Sequence, residues 1–127
     1  MLRVLLIDDT RAVHAFVRNL LAKSSEIEVV GVFDGAEALK LLEQDRRFDL
    51  VLLDWEMPLK TGPETLEEFN LRGITIPTMM MTTKNRPEDI ERVLALGVVE
   101  YLMKPFTADI LFEKIEFATG RAVKYVA

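Results

Sequence analysis

The feature that most constrains this chain is a repeated alternation of two kinds of apolar pattern. Short runs that are apolar on both faces give way to longer stretches that are apolar on one face. Val4-Leu5-Leu6-Ile7 is the first run, Ile27 to Val32 the second, Leu50-Val51-Leu52-Leu53 the third, Ile76 to Met81 the fourth and Val98 to Met103 the fifth. After the first run, Val13, Phe16, Val17, Leu20 and Leu21 recur with the spacing of one helical face. Later stretches carry Ala38, Leu39 and Leu42 on one side, then a segment from Pro63 to Phe69, then Ile90, Val93 and Leu94, then Ile110, Leu111 and Ile115. The punctuation agrees. Pro63 suits a first helical turn, and Arg86-Pro87-Glu88-Asp89 opens a helix with a proline and first-turn acids. Thr107 is placed as an N-cap, and Gly97 and Gly120 stand where helices stop.

Five strand–helix units with strands apolar on both faces predict an α/β fold, a doubly wound parallel sheet with helices on both sides and right-handed crossovers. At 127 residues the chain has the size of one domain, with no internal repeat, low-complexity tract or linker-like stretch.

Open sheets of this kind bind ligands at the carboxyl ends of their strands, which says where chemistry should sit. The first strand ends in Asp8-Asp9, the third in Asp54, the fourth in Thr82-Thr83 and the fifth in Lys104-Pro105. The fold therefore gathers three carboxylates, one or two hydroxyls and one ammonium at a common edge. Three acids in one cleft repel, and a divalent cation relieves the repulsion. Mg²⁺, with its preference for oxygen ligands and retained waters, suits Asp8, Asp9 and Asp54, binding directly or through water. A phosphoryl group on Asp54 would share its charge between that metal and Lys104, with a Thr82 hydroxyl donating to a phosphate oxygen. Each residue alone has an ordinary reading: a helix cap for Asp8, Asp9 or Thr10, a turn for Asp54, β-branched filling for the threonines, a surface lysine for Lys104. It is their coincidence at four strand ends that singles them out.

Other features exclude functions. The net charge of −5, without a Lys/Arg cluster, argues against a nucleic-acid partner. There is no cysteine, hence no disulfide and no thiolate metal site, which fits a cytoplasmic location. No segment approaches the roughly 20 apolar residues of a membrane helix. His14, without a second histidine, is expected to be a surface residue, and Met79-Met80-Met81 to be flexible core filling.

Asp8-Asp9, Asp54-Trp55-Glu56-Met57-Pro58, Met80-Met81-Thr82-Thr83 and Lys104-Pro105-Phe106 resemble the motifs of receiver domains from two-component response regulators, in order and spacing, from Val4 to about Gly120. The resemblance is to the stand-alone, chemotaxis-regulator-like type. It implies a flavodoxin-like fold with strand order 2-1-3-4-5 and a receiver domain over residues 1–120, with 121–127 as a tail or an extension of the last helix. It further implies Asp54 as phosphoacceptor, with Mg²⁺ (Mn²⁺ able to substitute) held by Asp8, Asp9, Asp54 and the backbone carbonyl of Glu56. Thr82 matches the switch hydroxyl, Lys104 the phosphate-pairing lysine, Tyr101 the aromatic that changes rotamer, and Lys104-Pro105 a cis bond. Thr83 stands beside the phosphate where a smaller residue is common. The implied donor is a sensor histidine kinase or a histidine phosphotransfer protein. The output is a face formed by the fourth helix, fifth strand and fifth helix that meets a downstream protein target in chemotaxis, motility or a phosphorelay. The protein is then a switch rather than an enzyme, a monomer or weak dimer, with no output domain expected after Ala127.

Glu56 and Lys84 lie two positions beyond Asp54 and Thr82, and are expected to pair across the mouth of the site and slow the access of hydrolytic water. Three rivals are weaker. A degenerate binding module should lack one of the five key residues. A flavin-binding protein would not present Asp8-Asp9 to a phosphate. An aspartate-based phosphatase needs a cap domain that 127 residues do not accommodate.

Overall fold

A computed structural model describes residues 1–126. In chain order these form β1 (Leu2–Ile7), α1 (Arg11–Leu21), β2 (Ile27–Val32), α2 (Gly35–Gln44), β3 (Leu50–Asp54), α3 (Gly62–Leu71), β4 (Thr78–Thr82), α4 (Pro87–Ala95), β5 (Glu100–Met103) and α5 (Ala108–Thr119). The strands make one parallel sheet in the order β2-β1-β3-β4-β5, as the resemblance implies. Alternate side chains of the central strands feed two cores. Leu5, Ile7, Val51, Leu53 and Met80 meet Ala38 and Leu42 of α2, Leu66 and Phe69 of α3 and Val93 of α4. Val4, Leu6, Leu50, Leu52, Met79 and Met81 meet Val17 and Leu21 of α1 and Leu111, Phe112 and Ile115 of α5. Because β1, β3 and β4 are buried on both faces, their continuous apolar runs follow directly from their position in the sheet.

Local chemistry sets the element ends. Thr10, Asp34, Thr61 and Thr107 each accept the backbone N–H three residues on, and Thr61 with Glu64 completes a capping box. β4 starts at Thr78 rather than Ile76, because Pro77 has no N–H to give the ladder. β5 starts at Glu100 rather than Val98, whose N–H instead closes the end of α4 on the Val93 carbonyl at 3.1 Å. The Lys104-Pro105 bond is cis.

The helical faces are rotated from those that spacing predicts. α1 buries His14, Val17 and Leu21, whereas Phe16 is 41% exposed. His14 is therefore not a surface residue; its ring has a backbone carbonyl to bond, which makes its burial tolerable. α4 buries Val93, while Ile90 is half-buried and Leu94 exposed. α5 buries Leu111, Phe112 and Ile115 and leaves Ile110 exposed. In helices this rich in apolar residues, two adjacent stripes satisfy the same period, and the sheet beneath decides between them.

α5 ends at Gly120, whose φ of 71° is the left-handed conformation of a helix stop. The following residues do not continue the helix but fold back over the domain. Val126 N–H donates to the Lys23 carbonyl at 2.9 Å, and the Tyr125 ring stacks on Phe112 at 4.0 Å. Ala127 lies outside the described residues. No helix among them is long and apolar enough to cross a membrane.

Candidate functional site

The strand ends converge as the fold requires. Asp8 follows β1 and is fully buried, Asp9 beside it is exposed, and Asp54 closes β3 at 5% exposure. Oxygen atoms of these three carboxylates lie within 4.8 Å of one another. Thr82 closes β4 and is buried, Thr83 is exposed, and Lys104 reaches in from beyond β5. Together with Thr10, Val13 and Glu56 these side chains line a cleft of about 320 Å³ at the carboxyl edge of the sheet.

Hydrogen bonds order the cleft. The Lys104 ammonium donates to Asp54 Oδ1 at 2.9 Å and to Asp8 Oδ2 at 3.1 Å. Asp8 Oδ1 accepts from the Thr10 N–H at 2.9 Å and from its hydroxyl at 3.1 Å. Thr10 thus caps α1 and holds Asp8 at once. Burial pushes the Asp54 carboxyl up to about 6; the Lys104 hydrogen bond opposes this, and the charges of Asp8 and Asp9 add to it. Burial pulls Lys104 down, but its bond to Asp54 and the charges of Asp54 and Asp8 hold its ammonium above the usual lysine range. One lysine therefore does not neutralise three carboxylates. The pocket is built of hard oxygen donors with an excess of negative charge, and that donor set fits a divalent cation such as Mg²⁺.

Around the cleft, Lys84 connects several groups. Its ammonium lies 3.7 Å from Glu56 Oε1 and 5.5 Å from the centre of the buried Trp55 ring. Its N–H donates to the Thr82 hydroxyl oxygen at 3.0 Å, and its carbonyl accepts the Tyr101 hydroxyl at 2.6 Å. The half-buried Tyr101 on β5 is so tied, through one residue, to the hydroxyl in the cleft.

Three elements escaped the reading of the sequence. The His14 Nε2 lies 2.8 Å from the Asp8 carbonyl oxygen. The double role of Thr10 was open to inference, because a threonine two residues past an acid and at a helix start can serve both. An adjoining apolar cavity of about 350 Å³, with Phe16, Pro105 and Phe106 in its walls, depends on the outward turn of Phe16 and had no signal in the spacing.

At its carboxyl edge this doubly wound sheet gathers three acids, two threonines of β4 and its end, and one lysine in one cleft, the arrangement that the receiver motifs imply. The response regulator receiver domain pattern matches residues 4–116, and the chain belongs to that family. It is 34% identical to the transcriptional regulatory protein CiaR of Streptococcus pneumoniae over 98% of its own length and 54% of that protein's. It therefore spans about half of that relative. With the chemotaxis protein CheY of Pseudomonas aeruginosa it shares 32% identity over 91% of this chain and 94% of the other. The solved structure of the chemotaxis protein CheY4 from Vibrio cholerae superimposes with a TM-score of 0.84 at 30% identity, covering 93% of this chain and 98% of that one. Among these relatives the same domain occurs in a protein named for transcription and in others named for chemotaxis.

Proposed function

We propose that this receiver accepts a phosphoryl group on Asp54 from the phosphohistidine of a sensor histidine kinase or histidine phosphotransfer protein. The observation that carries the reading is the placement of Asp54, buried at the base of an acidic cleft with its Oδ1 2.9 Å from the Lys104 ammonium. An Asp54 carboxylate oxygen forms the new bond to phosphorus as the N–P bond of the donor breaks, and the imidazole leaves with that electron pair. Asp8, Asp9, Asp54 and the backbone carbonyl of Glu56 would hold Mg²⁺, or Mn²⁺ in its place, which when bound supplies positive charge to the phosphoryl oxygens. Lys104 pairs with the transferred group, and Thr82 and Thr83 offer it hydrogen bonds. Such transfer is mostly positioning and charge compensation, which is what these side chains provide.

The switch runs through Thr82. When its hydroxyl donates to the phosphoryl group, the Lys84 N–H that it accepts is drawn along, and the Lys84 carbonyl carries the Tyr101 hydroxyl with it. The output face comprises α4, β5 and α5, where Leu94, Met103, Ile110 and Phe117 are exposed. Its partner is a downstream protein in chemotaxis, motility or a phosphorelay, and neither nucleic acid nor membrane. The protein acts in the cytoplasm as a monomer or weak dimer, with residues 1–120 as the receiver and 121–127 as a tail.

Incubation with Mg²⁺ and acetyl phosphate, followed promptly by intact mass measurement, is expected to add one phosphate to the wild type and none to Asp54→Asn. No gain in the wild type, with Trp55 fluorescence indifferent to Mg²⁺, would point instead to a binding module that has lost phosphotransfer. The Glu56–Lys84 pair is partly exposed, so its influence is small. Lys84→Ala is expected to speed loss of the phosphoryl group by about two- to fivefold, the scale of a weak ion pair. An unchanged rate of mass loss would remove the pair from the mechanism.

A further inference from the structure

Among the described residues, His14 is the one buried ionisable side chain that the receiver reading leaves unused. His14 is 6% exposed, on the face of α1 that meets the sheet. Helical side chains lean toward the N-terminus of their helix, and this one leans back across the whole β1–α1 turn. Its Nε2 stands 2.8 Å from the carbonyl oxygen of Asp8. A carbonyl only accepts, so Nε2 carries the hydrogen.

The ring is held from two further sides. Phe33 stacks on it with centroids 4.3 Å apart and planes 24° from parallel. Gly31 on β2 lies against its other edge, where a Cβ would come within 2.7 Å of Nδ1 and 2.8 Å of Cε1. The imidazole thus fills a slot that a glycine keeps open and an aromatic ring closes.

We propose that His14 is a positioning residue for the acidic cleft, its Nε2–H···O=C bond to Asp8 fixing the turn that carries Asp8 and Asp9. This rests on the reading of those acids as cation ligands. The physical need is plain. Asp8, Asp9 and Asp54 repel one another, and Asp9, being exposed, is free to swing outward with its turn. The Asp8 peptide is anchored on its N–H side to Val32 by a long 3.3 Å bond. The His14 bond anchors the carbonyl side, next to the peptide that leads into Asp9. Ligand-orienting groups just outside a metal site characteristically set its affinity.

The test compares His14→Leu, which fills the slot without a donor, with His14→Gln, whose amide nitrogen can reach the Nε2 position. Mg²⁺ affinity is read from Trp55 fluorescence at pH 8, and thermal melts in EDTA confirm that each variant is folded. Expected is an affinity about tenfold weaker for His14→Leu, on the scale of lost outer contacts to metal ligands, and recovery toward wild type for His14→Gln. Wild-type affinity in His14→Leu, or equal weakening in both variants, would overturn the proposal. Should neither variant fold, Gly31→Ala displaces the ring while keeping the donor, and is expected to weaken binding; unchanged affinity would again overturn it. Hydrogen exchange at the Asp8 and Thr10 amides of the metal-free protein separates this inference from the metal reading. Faster exchange in His14→Leu, restored in His14→Gln, supports the anchor even if the wild type ignores Mg²⁺, and unaltered exchange refutes it.

Discussion

Asp54→Asn is expected to melt at a higher temperature than the wild type in EDTA at neutral pH, and to lose that advantage in acid. The folded protein holds the Asp54 carboxyl at about 6, against an ordinary value of 3.8, chiefly because burial disfavours its charge. Between those two pH values the folded chain binds a proton that the unfolded chain has released. Stability therefore falls as pH rises from about 4 to about 6, and the full penalty applies above that window. A displacement of about two pH units corresponds to roughly 3 kcal/mol at 1.36 kcal/mol each. Asparagine keeps an acceptor for Lys104 but loses the attraction between charges, so a net gain of about 1–2 kcal/mol is expected, or several degrees in melting temperature. Below about pH 4 the aspartic acid is itself neutral and the two melting curves should converge. Coincident curves at pH 8 would mean that the wild-type cleft already relieves its charge without a metal.

Gly62→Ala is expected to cost more. Gly62 opens α3 directly against the end of β3: its N–H donates to the Trp55 carbonyl at 2.7 Å. A Cβ there would lie 2.5 Å from the Asp54 carbonyl oxygen and 2.9 Å from the Trp55 Cα. Both are backbone atoms of buried residues, one closing β3 and one just beyond it, and they cannot step aside as a side chain can. The start of α3 must back away, with a loss of about 2–4 kcal/mol, at or above the usual cost of overpacking. Gly73→Ala provides the contrast. Nothing lies within 4 Å of its Cβ, and its φ of 67° sets the cost instead. That substitution should forfeit about 1–2 kcal/mol, the left-handed penalty alone. Urea unfolding of the two variants measures the difference; equal midpoints would show that α3 yields freely. Because the clash falls on Asp54's own carbonyl, Gly62→Ala should also blunt the Trp55 response to Mg²⁺.

The parallel sheet and its cleft could be read from the sequence because their signals are local, whereas the strand order came only with the family resemblance. Asp8-Asp9, Asp54, Thr82-Thr83 and Lys104 each follow an apolar run at once, and a parallel sheet sends all such positions to one edge. What escaped depends on contacts between elements. The spacing of Val13, Phe16, Val17, Leu20 and Leu21 is equally compatible with a stripe centred on His14, Val17 and Leu21, and the fit against β2 chose the second. His14 read as a surface residue because its partner is a backbone carbonyl, which has no signature in the sequence. The same holds for α5, where the sheet takes Phe112 into the core and leaves Ile110 exposed.

Lys104 bridges Asp8 and Asp54 across separations of 96 and 50 residues. As the chain leaves the ribosome, the three acids are all made before the cation that answers them. A nascent chain ending short of β5 would have to assemble its first strands around an uncompensated negative cluster. Closing so long a loop is also among the slower steps of folding. Docking of the last strand is then the event that makes the charge arrangement tolerable, so completion of the fold and readiness of the cleft arrive together. A partly folded molecule, without Lys104 in place, has no cleft in which two of the three acids share a cation.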